Sequence, residues 1–105
     1  MSISTHILDT SEGVPAAGVG VRLERLAGAG WEPVGEGVTD ADGRLRLADD
    51  SPPGRHRMIF DLAARPGPAT FFPEIVIIFE VTDPAGRLHV PLLLSPYGYT
   101  TYRGS

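Results

Sequence analysis

The stretch VTDADGRLRL, residues 38–47, decides how the rest of the chain is read. Asp40, Asp42 and Gly43 form a turn signal, with Gly43 suited to positive φ. After the turn, Leu45 and Leu47 alternate with Arg44 and Arg46. A period of two sends the leucines to one face of a strand and the arginines to the other. The unit is therefore a turn followed by a half-buried strand, with Arg44 the first outward side chain.

The same pattern recurs in both directions from this point. Toward the N-terminus, Ile3 to Leu8 forms one run. Val19, Val21 and Leu23 alternate with Gly20, Arg22 and Glu24, and Trp31 to Thr39 makes a third run. Toward the C-terminus, DDSPPG breaks the chain before Arg55 to Leu62. AARPGPA has room for one helical turn, because its two prolines forbid more. Glu74 to Thr82, Arg87 to Leu94 and Tyr97 to Arg103 complete about eight strands. Short alternating runs between Gly, Pro and Asp turns predict an all-β sandwich. A chain of 105 residues suits one domain, residues 1–105.

One run departs from simple alternation. In EIVIIFEV (74–81), Ile75, Ile77, Phe79 and Val81 point one way, and Val76 and Ile78 the other. Both faces are apolar, so both are expected to be covered. A partner subunit is the favoured cover; a central position under the 63–73 loop is the other.

Composition bounds the function. Net charge is −4, which argues against non-specific nucleic-acid binding. Cysteine is absent, so disulfides and thiolate metal sites are excluded. The start MSISTHILDT lacks the basic and apolar regions of a signal peptide, and no apolar run approaches a membrane span. A cytoplasmic location is expected.

Three histidines carry most of the chemistry available. His56 shares parity with Met58, Phe60 and Leu62 and reads as a satisfied core residue. His6 shares parity with Ser4 and Leu8, opposite Ile3, Thr5 and Ile7. His89 shares parity with Arg87, Pro91 and Leu93, opposite Leu88, Val90, Leu92 and Leu94. If the Leu88 set fills the core, His89 lies on the outer face. An isolated outward histidine is usually solvated. Two of them together with Arg44 and a Tyr-Arg terminus fit a hydrolytic site for a small polar substrate. Neutral imidazole takes a proton from water near pH 7, and guanidinium holds a developing oxyanion. A metal site would need a third ligand, and none has matching spacing. No G-x-S-x-G elbow or phosphate-binding glycine loop is present.

STHILDT (4–10), VTDADGR (38–44), FFPEIVIIFEVTDP (71–84) and HVPLLLSPYGYTTYRGS (89–105) occur in an order and spacing that resemble the transthyretin-related proteins. Their terminal Tyr-Arg-Gly-Ser resembles the 5-hydroxyisourate hydrolase branch of that family. The resemblance implies an eight-stranded β-sandwich with one short helix. It also implies a homotetramer, a dimer of dimers, with a site at each mouth of a central channel. Catalytic roles are implied for His6, Arg44 and His89, and substrate binding for Tyr102, Arg103, Gly104 and Ser105. Neither a metal nor another cofactor is implied. The expected reaction is water attack on a ring carbonyl of 5-hydroxyisourate, with C–N cleavage opening the six-membered ring. Either histidine could be the base. The terminal residues are expected to be packed into the site, so that an extension after Ser105 would reduce turnover. The alternative is a carrier of small aromatic ligands on the same fold.

Overall fold

A computed structural model describes residues 1–83 and 85–104. Among the described residues nine strands form two sheets, as a sandwich requires. They are β1 (Ser2–Asp9), β2 (Val14–Pro15), β3 (Gly20–Ala27), β4 (Gly30–Val38), β5 (Arg44–Ala48), β6 (Gly54–Asp61), β7 (Glu74–Val81), β8 (Arg87–Leu94) and β9 (Tyr99–Thr101).

β1 is the organising strand of the first sheet. Its first half pairs with β5 and its end with β2, both antiparallel. Its other edge runs parallel to β8, which pairs antiparallel with β9. The second sheet is antiparallel throughout, in the order β4-β3-β6-β7. Between the sheets lie Ile3 and Ile7 of β1, Val21 and Leu23 of β3, Met58 and Phe60 of β6, Ile75 of β7, and Leu92 and Leu94 of β8. Each large apolar side chain buried this way contributes about 1.5–3 kcal/mol. Because these residues alternate, their neighbours in sequence are forced onto the outer faces.

The all-β sandwich matches the expectation from alternation; the short helix does not. Among the described residues there is no helix, and residues 63–68 form consecutive turns and bends. Pro66 and Pro68 lack the N–H that a helix needs, and Gly67 sits at φ +114°. The loop is held instead by a buried ion pair, with Arg65 Nη2 3.1 Å from Asp9 Oδ2 at the end of β1. Among the described residues no helix is long and apolar enough to cross a membrane.

β7 is an edge strand, so a central position under the 63–73 loop is not what the chain adopts. Val76 is 42% exposed and Ile78 59% exposed on its outer face. Both are uncovered in the single chain.

His56 is fully buried, as its parity predicts. Gly54 O lies 3.0 Å from its Nδ1 and Ser51 Oγ lies 2.7 Å from its Nε2. A carbonyl only accepts, so Nδ1 carries the hydrogen and the Ser51 hydroxyl donates to Nε2. The ring also stacks on Phe79 at 5.8 Å. Burial pushes its pKa below 6.5, so the core holds a neutral imidazole.

Candidate active site

The outer face of the first sheet collects Arg44, His6, Ser4 and His89 through strand register alone. On β1, Ile3, Thr5 and Ile7 are buried, which sends Ser4 and His6 outward. On β8, Leu88, Val90 and Leu92 are buried, which sends His89 outward. The antiparallel β1–β5 ladder places His6 opposite Arg44. The parallel β1–β8 ladder places Ser4 beside His89.

The turn before β5 is built to present Arg44. The Asp40 carboxylate accepts from the Asp42 N–H at 2.9 Å and the Arg44 N–H at 3.0 Å. Gly43 has φ +74°, and a Cβ there would lie 2.4 Å from the Ile7 carbonyl oxygen. Only glycine satisfies both the turn and this close approach to β1. The Gly43 carbonyl accepts from the Ile7 N–H at 2.8 Å, which locks the turn onto the strand bearing His6.

The imidazoles of His6 and His89 lie 6.4 Å apart between centroids and are tilted by 39°. Ser4 Oγ is 2.9 Å from His89 Nδ1. Burial lowers the His89 pKa below 6.5, and the nearby His6 ring and Arg44 guanidinium lower it further. His89 is therefore mostly neutral at pH 7 and able to accept a proton. Ser4, Arg44, Arg46 and His89 line a recess of about 340 Å³ on this face. It offers an imidazole proton acceptor beside guanidinium donors suited to a polar or anionic group.

The chain segment after β9 reaches the same imidazole. The Gly104 N–H donates to the His89 carbonyl at 2.8 Å, forming an isolated β-bridge. Tyr102 and Arg103 are not part of the His6–His89–Arg44 group in the single chain. They line a separate recess of about 220 Å³ at the sandwich edge, with Ile77 and Phe79 of β7 and Leu88 of β8. Tyr102 is 55% exposed there. Ser105, predicted from sequence as a substrate-binding residue, lies outside the described residues.

Ser4 is the member of this group to which sequence gives no role. Its shared parity with His6 was legible, but its contact with His89 depends on a parallel pairing between segments 85 residues apart.

Residues 3–104 match the family model described as HIUase/Transthyretin family. A 5-hydroxyisourate hydrolase of Caulobacter vibrioides is 46% identical over 112 residues, covering 98% of this chain and 97% of that protein. A uric acid degradation bifunctional protein of Arabidopsis thaliana is 43% identical over 98% of this chain, which spans 37% of that longer protein. Among solved structures, a 5-hydroxyisourate hydrolase of Klebsiella pneumoniae superposes with a TM-score of 0.85 at 38% identity, covering 100% of both chains. The outward imidazole pair, the Arg44 turn and the match over nearly the whole length lead to one assignment: the chain belongs to the HIUase/Transthyretin family.

Proposed function

We propose that this chain hydrolyses 5-hydroxyisourate, opening its six-membered ring, and that residues 1–105 act as one hydrolase domain. The observation that carries this reading is the joining of His6, His89 and Arg44 on one face, with His89 held neutral beside a cation. In the proposed reaction an imidazole takes a proton from water, and the water oxygen attacks a ring carbonyl. Arg44 donates to the oxyanion that develops. The tetrahedral species then collapses with C–N cleavage, and the leaving nitrogen receives a proton from the site. Base and electrophilic support both come from side chains, so no metal or cofactor is assigned a step.

Tyr102, Arg103, Gly104 and Ser105 are proposed to bind substrate. Gly104 supports this through its bridge to His89. Tyr102 and Arg103 would reach a substrate at the imidazole face of another copy. A homotetramer, two edge-paired dimers facing one another, is the proposed assembly. Support comes from the uncovered Val76 and Ile78 on edge strand β7 and from the polar face left open by the first sheet. The cytoplasm is the proposed location, checked by cell fractionation beside a compartment marker.

The family description spans hydrolases and transthyretins, so membership alone does not choose between catalysis and carriage. The site does: a carrier of aromatic ligands needs an open apolar passage, whereas this face presents two imidazoles and two guanidinium groups. The test is the absorbance decay of freshly generated 5-hydroxyisourate with and without protein. Faster decay with saturable kinetics is expected. Decay at the buffer rate, with tight binding of an aromatic ligand, would favour the carrier.

A further inference from the structure

We propose that Ser4 is a positioning residue for His89: its hydroxyl accepts the hydrogen bond from Nδ1–H and so leaves Nε2 as the nitrogen that takes the proton from water. The inference rests on the hydrolytic reading above and deepens it by giving the two imidazoles different tasks.

His89 is held from several directions. Its Nδ1 is 2.9 Å from Ser4 Oγ, and the two residues are register partners across parallel strands. Its carbonyl accepts from Gly104 N–H at 2.8 Å, and the Gly104 backbone packs against its ring. Among the described residues His6 makes no hydrogen bond through its ring. One imidazole is therefore held by a side-chain hydrogen bond and the other is not. Precise orientation matters most for the group that takes the first proton.

A hydroxyl can donate or accept, so distance alone permits either tautomer. The chemistry separates them. If Ser4 donated to Nδ1, the only ring lone pair would be occupied and Nε2 would already carry hydrogen. With Ser4 accepting, Nε2 is free to act. The same hydrogen bond persists after protonation, when the ring becomes imidazolium beside Arg44 and needs an acceptor most. No regrouping is required during the step.

The balance is simple. One water proton moves to Nε2 while the water oxygen bonds the carbonyl carbon. As the C–N bond breaks, its electron pair stays on nitrogen and receives a proton returned by the site. The Nδ1 hydrogen stays on His89 throughout.

The test combines heteronuclear NMR of the ring nitrogens in the full chain with kinetics of two variants. In the wild type without substrate, neutral His89 is expected with Nδ1 protonated. Ser4→Ala is expected to lower kcat by roughly 10- to 100-fold, no more than the low end of the roughly 10²–10⁴-fold a general base supplies because His89 itself is kept, with a smaller change in KM. The acid limb of its pH profile should move to lower pH, because the imidazolium has lost an acceptor. The other charged or titratable groups around this ring's recess, His6 of β1, Arg44 and Arg46 of β5 and Asp40 of their turn, are unchanged in that variant. Ser4→Thr keeps the hydroxyl on a strand and should recover most of kcat. Protonation at Nε2 in the wild type would overturn the proposal, as would Ser4→Ala with unchanged kcat and acid limb. If Ser4→Ala does not fold, the wild-type tautomer and Ser4→Thr still decide it. The NMR readout needs no substrate, so a wild type without turnover defeats the hydrolase reading separately from the hydrogen-bond assignment.

Discussion

Gly104 packs so closely on His89 that a Cβ at position 104 would lie 2.8 Å from the imidazole Cδ2 and 3.3 Å from Cγ. The neighbour is a ring that is also held by Ser4, so relief must come from moving the imidazole or the terminal segment. Gly104→Ala should therefore lower kcat/KM by about 10- to 100-fold, the scale of a small misplacement at a reacting group. The melting temperature should stay within a few degrees, since the segment lies outside the core. Steady-state kinetics beside a thermal melt check both halves.

Asp40 controls Arg44 through the turn. Asp40→Ala removes the acceptor for two backbone N–H groups, at a cost of about 1 kcal/mol in stability, and loosens Arg44. Asp40→Asn retains an oxygen acceptor and should stay close to wild type in both stability and kcat/KM. Equal losses in the two variants would indicate that the charge, not the turn, is what Asp40 supplies.

The buried His56 makes stability depend on pH in one direction. Burial depresses its folded pKa, so the unfolded chain binds a proton more readily. Its contribution is fully present above the unfolded value of 6.5 and is lost as pH falls from there toward the folded pKa. His56→Ala should cost about 2–4 kcal/mol, because it opens a cavity and strands the Ser51 hydroxyl. It should also flatten the wild-type decline in stability below pH 6.5. Denaturant titrations at several pH values measure this.

Catalysis should follow a different titration. His89 must be neutral to accept a proton, and burial, with the His6 ring and the Arg44 guanidinium nearby, keeps its pKa below 6.5. The kcat/KM of the wild type should be level around pH 7 and fall on the acid side below pH 6.5. An acid limb centred above 6.5 would assign the base elsewhere.

Much of this site was legible from alternation. Parity set His6 opposite Ile3 and Ile7, His89 opposite Leu88, Val90 and Leu92, and His56 with Met58 and Phe60, so the buried sets fixed all three directions. The Asp-Gly turn likewise announced Arg44 as the first outward residue of β5. Long-range pairing was not legible. Nothing local to Ser4 indicates that β1 runs parallel to β8, so its bond to His89 was invisible. The two-residue strand Val14–Pro15 is too short to show a period. The expected helical turn failed because Pro66, Gly67 and Pro68 favour bends and Arg65 found Asp9. Tyr97 to Arg103 reads as one strand, but its pairing with β8 covers only Tyr99 to Thr101, so Tyr102 and Arg103 leave the ladder and lie at the sandwich edge.

In the proposed reaction the His6–His89 pair does the proton chemistry of a hydrolase. The most direct measurement is kcat/KM for 5-hydroxyisourate in His89→Ala, with His6→Ala alongside and His56→Ala as the folding control. Losing a general base costs about 10²–10⁴-fold, so a fall of at least about 100-fold is expected for His89→Ala and for His6→Ala. In His56→Ala the loss should appear in stability instead. Turnover at the wild-type rate in folded His89→Ala would contradict the account.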